Sequence, residues 1–91
     1  MEVYKFIVSG KVQGVFYRKF VSQNAMRKQF QGYIKNLEDG RVEVVAALLD
    51  DDLPVFQKIL KEGSPMSHVD NIELTVLEED DLVYDGFEIR S

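Results

Sequence analysis

The 91-residue sequence contains no cysteine, no tryptophan, two prolines and one histidine. Without cysteine there is no disulfide, no thiol chemistry and no cysteine-held metal. Nothing in the chain then calls for an oxidising compartment, and the expected location is the cytoplasm. No apolar run approaches the ~20 residues needed to cross a bilayer, and no basic leader precedes an apolar stretch at the N-terminus, so neither a membrane span nor a signal peptide is expected. Acidic residues are missing from one long stretch: residues 3–37 hold no Asp and no Glu. The net charge of −5 nevertheless argues against general nucleic-acid binding. Its distribution is uneven, +4 over residues 1–45 and −9 over residues 46–91, so an anion is drawn toward the first half.

What is present fits one soluble globular domain spanning residues 1–91, with 45% hydrophobic and 30% charged residues. Residues 3–9 alternate, with Tyr4, Phe6 and Val8 on one face, and predict a strand. Residues 10–17 form a glycine-bearing loop. Residues 18–30 have helical spacing, with Tyr17, Val21 and Ala25 stacked and Phe20 beside them. Residues 32–37 and 41–49 predict two strands joined by a turn at Glu38, Asp39 and Gly40. The second has two apolar faces, Val42, Val44, Ala46 and Leu48 against Val45, Ala47 and Leu49, which suggests cover on one side and a partner or poor cover on the other.

Asp50, Asp51 and Asp52 ahead of Pro54 open a second helix rather than a metal site. Its stripe is Val55, Phe56, Ile59 and Leu60, and Gly63 and Pro65 end it. Residues 67–78 predict a strand in which Ile72, Leu74 and Val76 alternate with Glu73 and Thr75. An acidic loop or turn at 79–84 and a short strand at 87–90 close the chain. Strand, helix, strand, strand, helix, strand is the ferredoxin-like βαββαβ order: an α+β sandwich with both helices on one face of an antiparallel sheet, plus a short fifth strand.

Residues 10–18, Gly-Lys-Val-Gln-Gly-Val-Phe-Tyr-Arg, carry the clearest chemistry. Glycines let a backbone turn its N–H groups inward, and the following helix adds unpaired N–H donors and a positive dipole end. Arg18 supplies a permanently charged fork that matches phosphate oxygens. The loop therefore reads as a phosphate cradle. Asn36, at the end of the second strand, is either the start of an Asx turn or a carboxamide able to hold and orient a water. Lys11, Lys19, Lys35 and Arg41 read as solvated charges or as groups that steer an anion. His68 reads as a surface residue at the start of a strand rather than a base, and Ser9 and Ser22 lack an evident activating base.

The stretch 10–18, with Gly-Tyr-Ile-Lys-Asn at 32–36, Gly-Arg-Val-Glu-Val at 40–44 and Phe-Glu-Ile-Arg at 87–90, closely resembles the acylphosphatase family over essentially the whole chain. The resemblance implies the ferredoxin-like fold, hydrolysis of acyl phosphates to a carboxylate and inorganic phosphate, and no metal or organic cofactor. It implies that the backbone N–H groups of Gln13, Gly14, Val15, Phe16 and Tyr17, with the Arg18 guanidinium, hold the phosphoryl oxygens. It makes Asn36 the residue that places the attacking water. Inorganic phosphate or sulfate is then the product or its mimic, and no nucleic acid, membrane or second copy is expected. The alternative is a non-catalytic module that binds phosphate or carbamoyl phosphate in regulation or maturation. Relatives often carry Leu-Gly where this chain has Lys28-Gln29, and Gly where Leu48 stands; Gln29 ends a helix less easily than Gly.

Overall fold

The computed structural model describes residues 1–78 and 86–90. The expected acidic turn at 79–84 lies outside the described residues. Strand β1 (Glu2–Lys11) is central and pairs antiparallel with β3 (Val42–Leu48) on one side and β4 (His68–Leu77) on the other. Strand β2 (Gln31–Asn36) forms a hairpin with β3 and runs parallel to β5 (Phe87–Arg90). The sheet order is β4-β1-β3-β2-β5. Helices α1 (Tyr17–Arg27) and α2 (Leu53–Glu62) cover one face. The ferredoxin-like fold is thus in place.

The period-two pattern of β1 decides which face is covered. Tyr4, Phe6 and Val8 are buried, and the partner positions Val42, Val44 and Ala46 extend that face across β3. Val21 and Ala25 of α1 and Phe56 and Leu60 of α2 close the core. Phe56 is its hub, with ring centroids 5.3 Å from Phe6, 5.8 Å from Phe30 and 6.0 Å from Phe87. Each such pair contributes about 0.5–1.5 kcal/mol beyond area burial.

Helix α1 ends earlier than its apolar spacing suggests, at Arg27 instead of residue 30. Phe30 has to leave the helix to reach the core, where it is buried. Gln29 turns the chain with φ 61°. Its N–H bonds to Met26 O (3.0 Å), and the Phe30 N–H bonds to Ala25 O (2.9 Å). This pair of bonds is the Schellman pattern, which glycine serves with least strain. Gln29→Gly is therefore expected to raise stability by about 0.5–1 kcal/mol in urea unfolding. A destabilised variant would show that the Gln29 side chain makes a contact worth more than the strain.

Other boundaries shift for similar reasons. Strand β1 runs on to Lys11, through an irregularity between Ser9 and Gly10, because Lys11 still pairs with His68. Gly32 is not a turn glycine: it lies inside β2, where an added Cβ would run into the Val45 carbonyl oxygen. Asp50–Asp52 form one 3₁₀ turn ahead of α2, and Asp52, at its N-cap, makes no side-chain capping bond. The acidic run therefore acts through the helix dipole alone. On β4, Ile72 packs against the core, but Leu74 and Val76 are exposed, since β4 is a sheet edge beyond the cover of α2.

The second face of β3 is partly settled by neighbours in the sheet. Val45, 1% exposed, sits in register between Lys5 and Tyr33. The Tyr33 hydroxyl donates to Glu43 Oε2 (2.9 Å), Lys35 Nζ lies 3.6 Å from the same carboxylate, and the Arg90 guanidinium stacks 4.1 Å above the Tyr33 ring. Amphipathic side chains thus roof Val45, while Ala47 is half-buried and Leu49 exposed.

Candidate active site

The loop between β1 and α1 is held from three directions. Val12 and Val15 insert into the core. The Ser64 hydroxyl, just past α2, donates to the Val15 carbonyl at 2.6 Å. The Gln13 side-chain amide donates to the carbonyls of Leu37 and Arg41, both at 2.9 Å, which flank the β2–β3 turn. Between these anchors Gly14 (φ 72°) and Phe16 (φ 64°) take left-handed conformations. Left-handed residues set among right-handed ones make a concave nest of N–H groups. With the Val15 carbonyl turned to Ser64, the N–H of the same trans peptide, that of Phe16, points the opposite way.

Phe16 is also the N-cap of α1 and makes no side-chain capping bond; the first turn holds no acidic residue. The opening N–H groups of α1 are therefore free of internal competitors. Tyr17 faces inward, 1% exposed, and its hydroxyl donates to Leu60 O at 2.8 Å. Burial pushes this phenol up, so it stays protonated. Arg18, half-buried, is steadied by a bond from Nη1 to Arg90 O of β5 at 3.1 Å.

These elements border a cleft of about 280 Å³ lined by Gly14, Phe16, Tyr17, Arg18 and Asn36, with Val12, Lys19 and Ile89 completing its walls. Among the described residues no acidic side chain lines it. Asn36 shares the face of β2 with buried Ile34, which turns it toward the helical layer. Its Oδ1 is shielded from solvent and has no hydrogen-bond partner among the described residues. A turn role is taken by another side chain. Asp39 Oδ1 accepts from the Arg41 N–H at 3.1 Å and Oδ2 from Arg41 Nε at 2.8 Å. That backbone N–H, before the guanidinium, holds the Asp39 carboxyl below its usual range.

Arg18 and Asn36 are thus brought together, along with Gly14, Phe16 and Tyr17. Gln13 and Val15, also expected at the site, do not line the cleft: the Gln13 side chain ties the loop to the β2–β3 turn and Val15 inserts into the core. Of the four candidate steering cations Lys19 alone lines it. Lys35 pairs with Glu43, Arg41 with Asp39, and Lys11 is exposed at the end of β1. His68 begins β4, exposed and 3.0 Å from Asp70, with two strands, β1 and β3, between it and β2. Ser22 donates to Lys19 O within α1.

Residues 4–89 match the family model described as Acylphosphatase. The chain belongs to the acylphosphatase family. It is 43% identical over 76 residues to an acylphosphatase of Borrelia garinii subsp. bavariensis, covering 82% of each chain. The crystal structure of acylphosphatase from Bacillus subtilis superposes with a TM-score of 0.92 at 37% identity, over all of both chains. The crystal structure of T. kodakarensis HypF also contains the fold: at 30% identity and TM-score 0.84 the match covers this whole chain but 12% of that one. Membership in the acylphosphatase family makes the chain an acyl phosphate hydrolase, with inorganic phosphate as product.

Three supports of this acylphosphatase cleft were not read from the sequence: the Gln13 side chain, Ser64 and the Arg90 carbonyl. Their partners lie 24 to 72 residues away in the chain, so no local pattern points to them. Gln13→Ala removes two bonds that tie the loop to the turn after Asn36. It is expected to cost about 1–3 kcal/mol in urea unfolding and to weaken competitive inhibition by phosphate. Unchanged stability and unchanged inhibition would show the tie to be dispensable.

Proposed function

We propose that Arg18 and the N–H groups of residues 13–17 grip the phosphoryl group of an acyl phosphate while Asn36 orients the attacking water. The observation that carries this is the convergence, in one cleft, of a guanidinium, a nest of left-handed backbone and a carboxamide oxygen that has no partner among the described residues, none of the described lining residues being acidic. Asn36 Oδ1 accepts a hydrogen bond from the water, whose oxygen keeps a lone pair directed at phosphorus. As the water oxygen bonds to phosphorus, the bond to the acyl oxygen breaks and its electron pair leaves on the carboxylate. The water proton passes to a phosphoryl oxygen, giving inorganic phosphate. A carboxylate leaving group has a conjugate-acid pKa of about 4 and needs no general acid. The transition state is loose, so positioning and charge stabilisation supply most of the rate. This accounts for a site that uses neither His68 nor Ser22.

The chain 1–91 is proposed to work as one domain, as a monomer and in the cytoplasm. The Arg90–Tyr33 stack and the Glu43 pairs that roof the open sheet face favour a monomer. The match to 12% of the longer HypF chain shows that the fold also occurs as one module of a larger protein; the second reading is such a module, binding phosphate without turnover. Loss of benzoyl phosphate, followed with and without a chelator and with added phosphate, separates the two. Hydrolysis that survives the chelator and is competitively inhibited by phosphate is expected. Phosphate binding without hydrolysis would support the module instead.

A further inference from the structure

The grip on phosphate leaves the acyl group to be accounted for. Two large apolar side chains stand exposed on the cleft wall: Phe16, 72% exposed, and Ile89, 50% exposed. They come from different elements, the last residue of the loop and the edge strand β5, while the chain neighbours of Phe16, Val15 and Tyr17, are both buried. Phe16 is costly where it stands. Its φ of 64° is one that Gly or Asn adopts with less strain. A strained aromatic residue left in solvent points to a ligand that covers it. Apolar walls beside a few polar groups are the usual make-up of a small-molecule pocket.

We propose that Phe16 and Ile89 form the acyl subsite, and that the cleft prefers acyl phosphates with an apolar group, best an aromatic ring, over acetyl phosphate. The proposal rests on the acyl-phosphate reading of the cleft. An aromatic acyl group stacks on the Phe16 ring, while Lys19 on the same wall is the competing partner for an anionic acyl group.

The test is calorimetric binding of phenacylphosphonate, acetonylphosphonate and carboxyacetonylphosphonate to the full chain. In these compounds a methylene replaces the bridging oxygen and no turnover is needed. Phenacylphosphonate is expected to bind roughly ten-fold tighter than acetonylphosphonate. Phe16→Asn, which suits the left-handed backbone, is expected to cut that ratio about three-fold or more, and Ile89→Ala to cut it as well. Equal affinities in the parent chain, a ratio unmoved in both variants, or tightest binding of the carboxylated compound would each overturn the subsite. A chain that prefers phenacylphosphonate yet hydrolyses no acyl phosphate would uphold the subsite and refute hydrolysis.

Discussion

Arg18→Ala is expected to lower kcat/KM for benzoyl phosphate by roughly 10³–10⁵, the range for arginines that meet phosphoryl transition-state charge. Among the described residues lining the cleft its guanidinium is accompanied by one other cation, Lys19, and by no carboxylate that would offset it. The backbone nest contributes partial charges, which remain in the variant and leave a residual rate. Arg18→Lys is expected to recover little, because a point charge cannot reproduce the planar two-pronged geometry. Stability is the control. Among the described residues the bond lost is that from Nη1 to Arg90 O, at an exposed position, so folding should change by less than about 1 kcal/mol. A rate within ten-fold of the parent chain, with folding intact by circular dichroism, would remove Arg18 from the reaction.

Asn36→Ala is expected to cost on the order of 10²–10³ in kcat, with KM and phosphate inhibition little altered. The split follows from the division of labour. In the proposed division the loop and Arg18 would bind the phosphoryl group in ground and transition states, whereas water placement would count only as the new bond forms. Asn36→Asp keeps an acceptor but brings a negative charge toward the phosphoryl oxygens, so it should rescue poorly. Because Oδ1 has no protein partner among the described residues, its removal orphans none of them. A variant that loses phosphate binding together with turnover would assign Asn36 to the grip instead.

Both residues were legible in the sequence, for different reasons. Arg18 follows a glycine loop at the entrance of a helix, a local arrangement with its own physics. Asn36 is ambiguous locally, because a carboxamide before a turn is as well suited to an Asx turn. In the fold Asp39 caps that turn, and the two-residue period from Ile34 turns Asn36 toward the helical layer, which favours the second role without testing it. The strand and helix order was legible from periodicity, and Phe56, Phe6 and Phe87 from their apolar positions. The end of α1 was not. Residues 26–29 suit a helix, and only the demand that Phe30 enter the core stops it at Arg27, in a conformation that Gln29 bears under strain. Leu74 and Val76 alternate as a buried strand does, but alternation cannot tell an edge strand from a central one. The three ties that hold the cleft depend on contacts between distant segments.

Binding of a sulfate ion in a crystal of the full chain tests the central claim most directly. The anion should sit in the bowl formed by the N–H groups of residues 13–17, with its oxygens about 3 Å from the Arg18 guanidinium nitrogens, and a water between it and Asn36. A sulfate bound elsewhere while this bowl holds none, with Arg18 and Asn36 turned apart, would contradict the account.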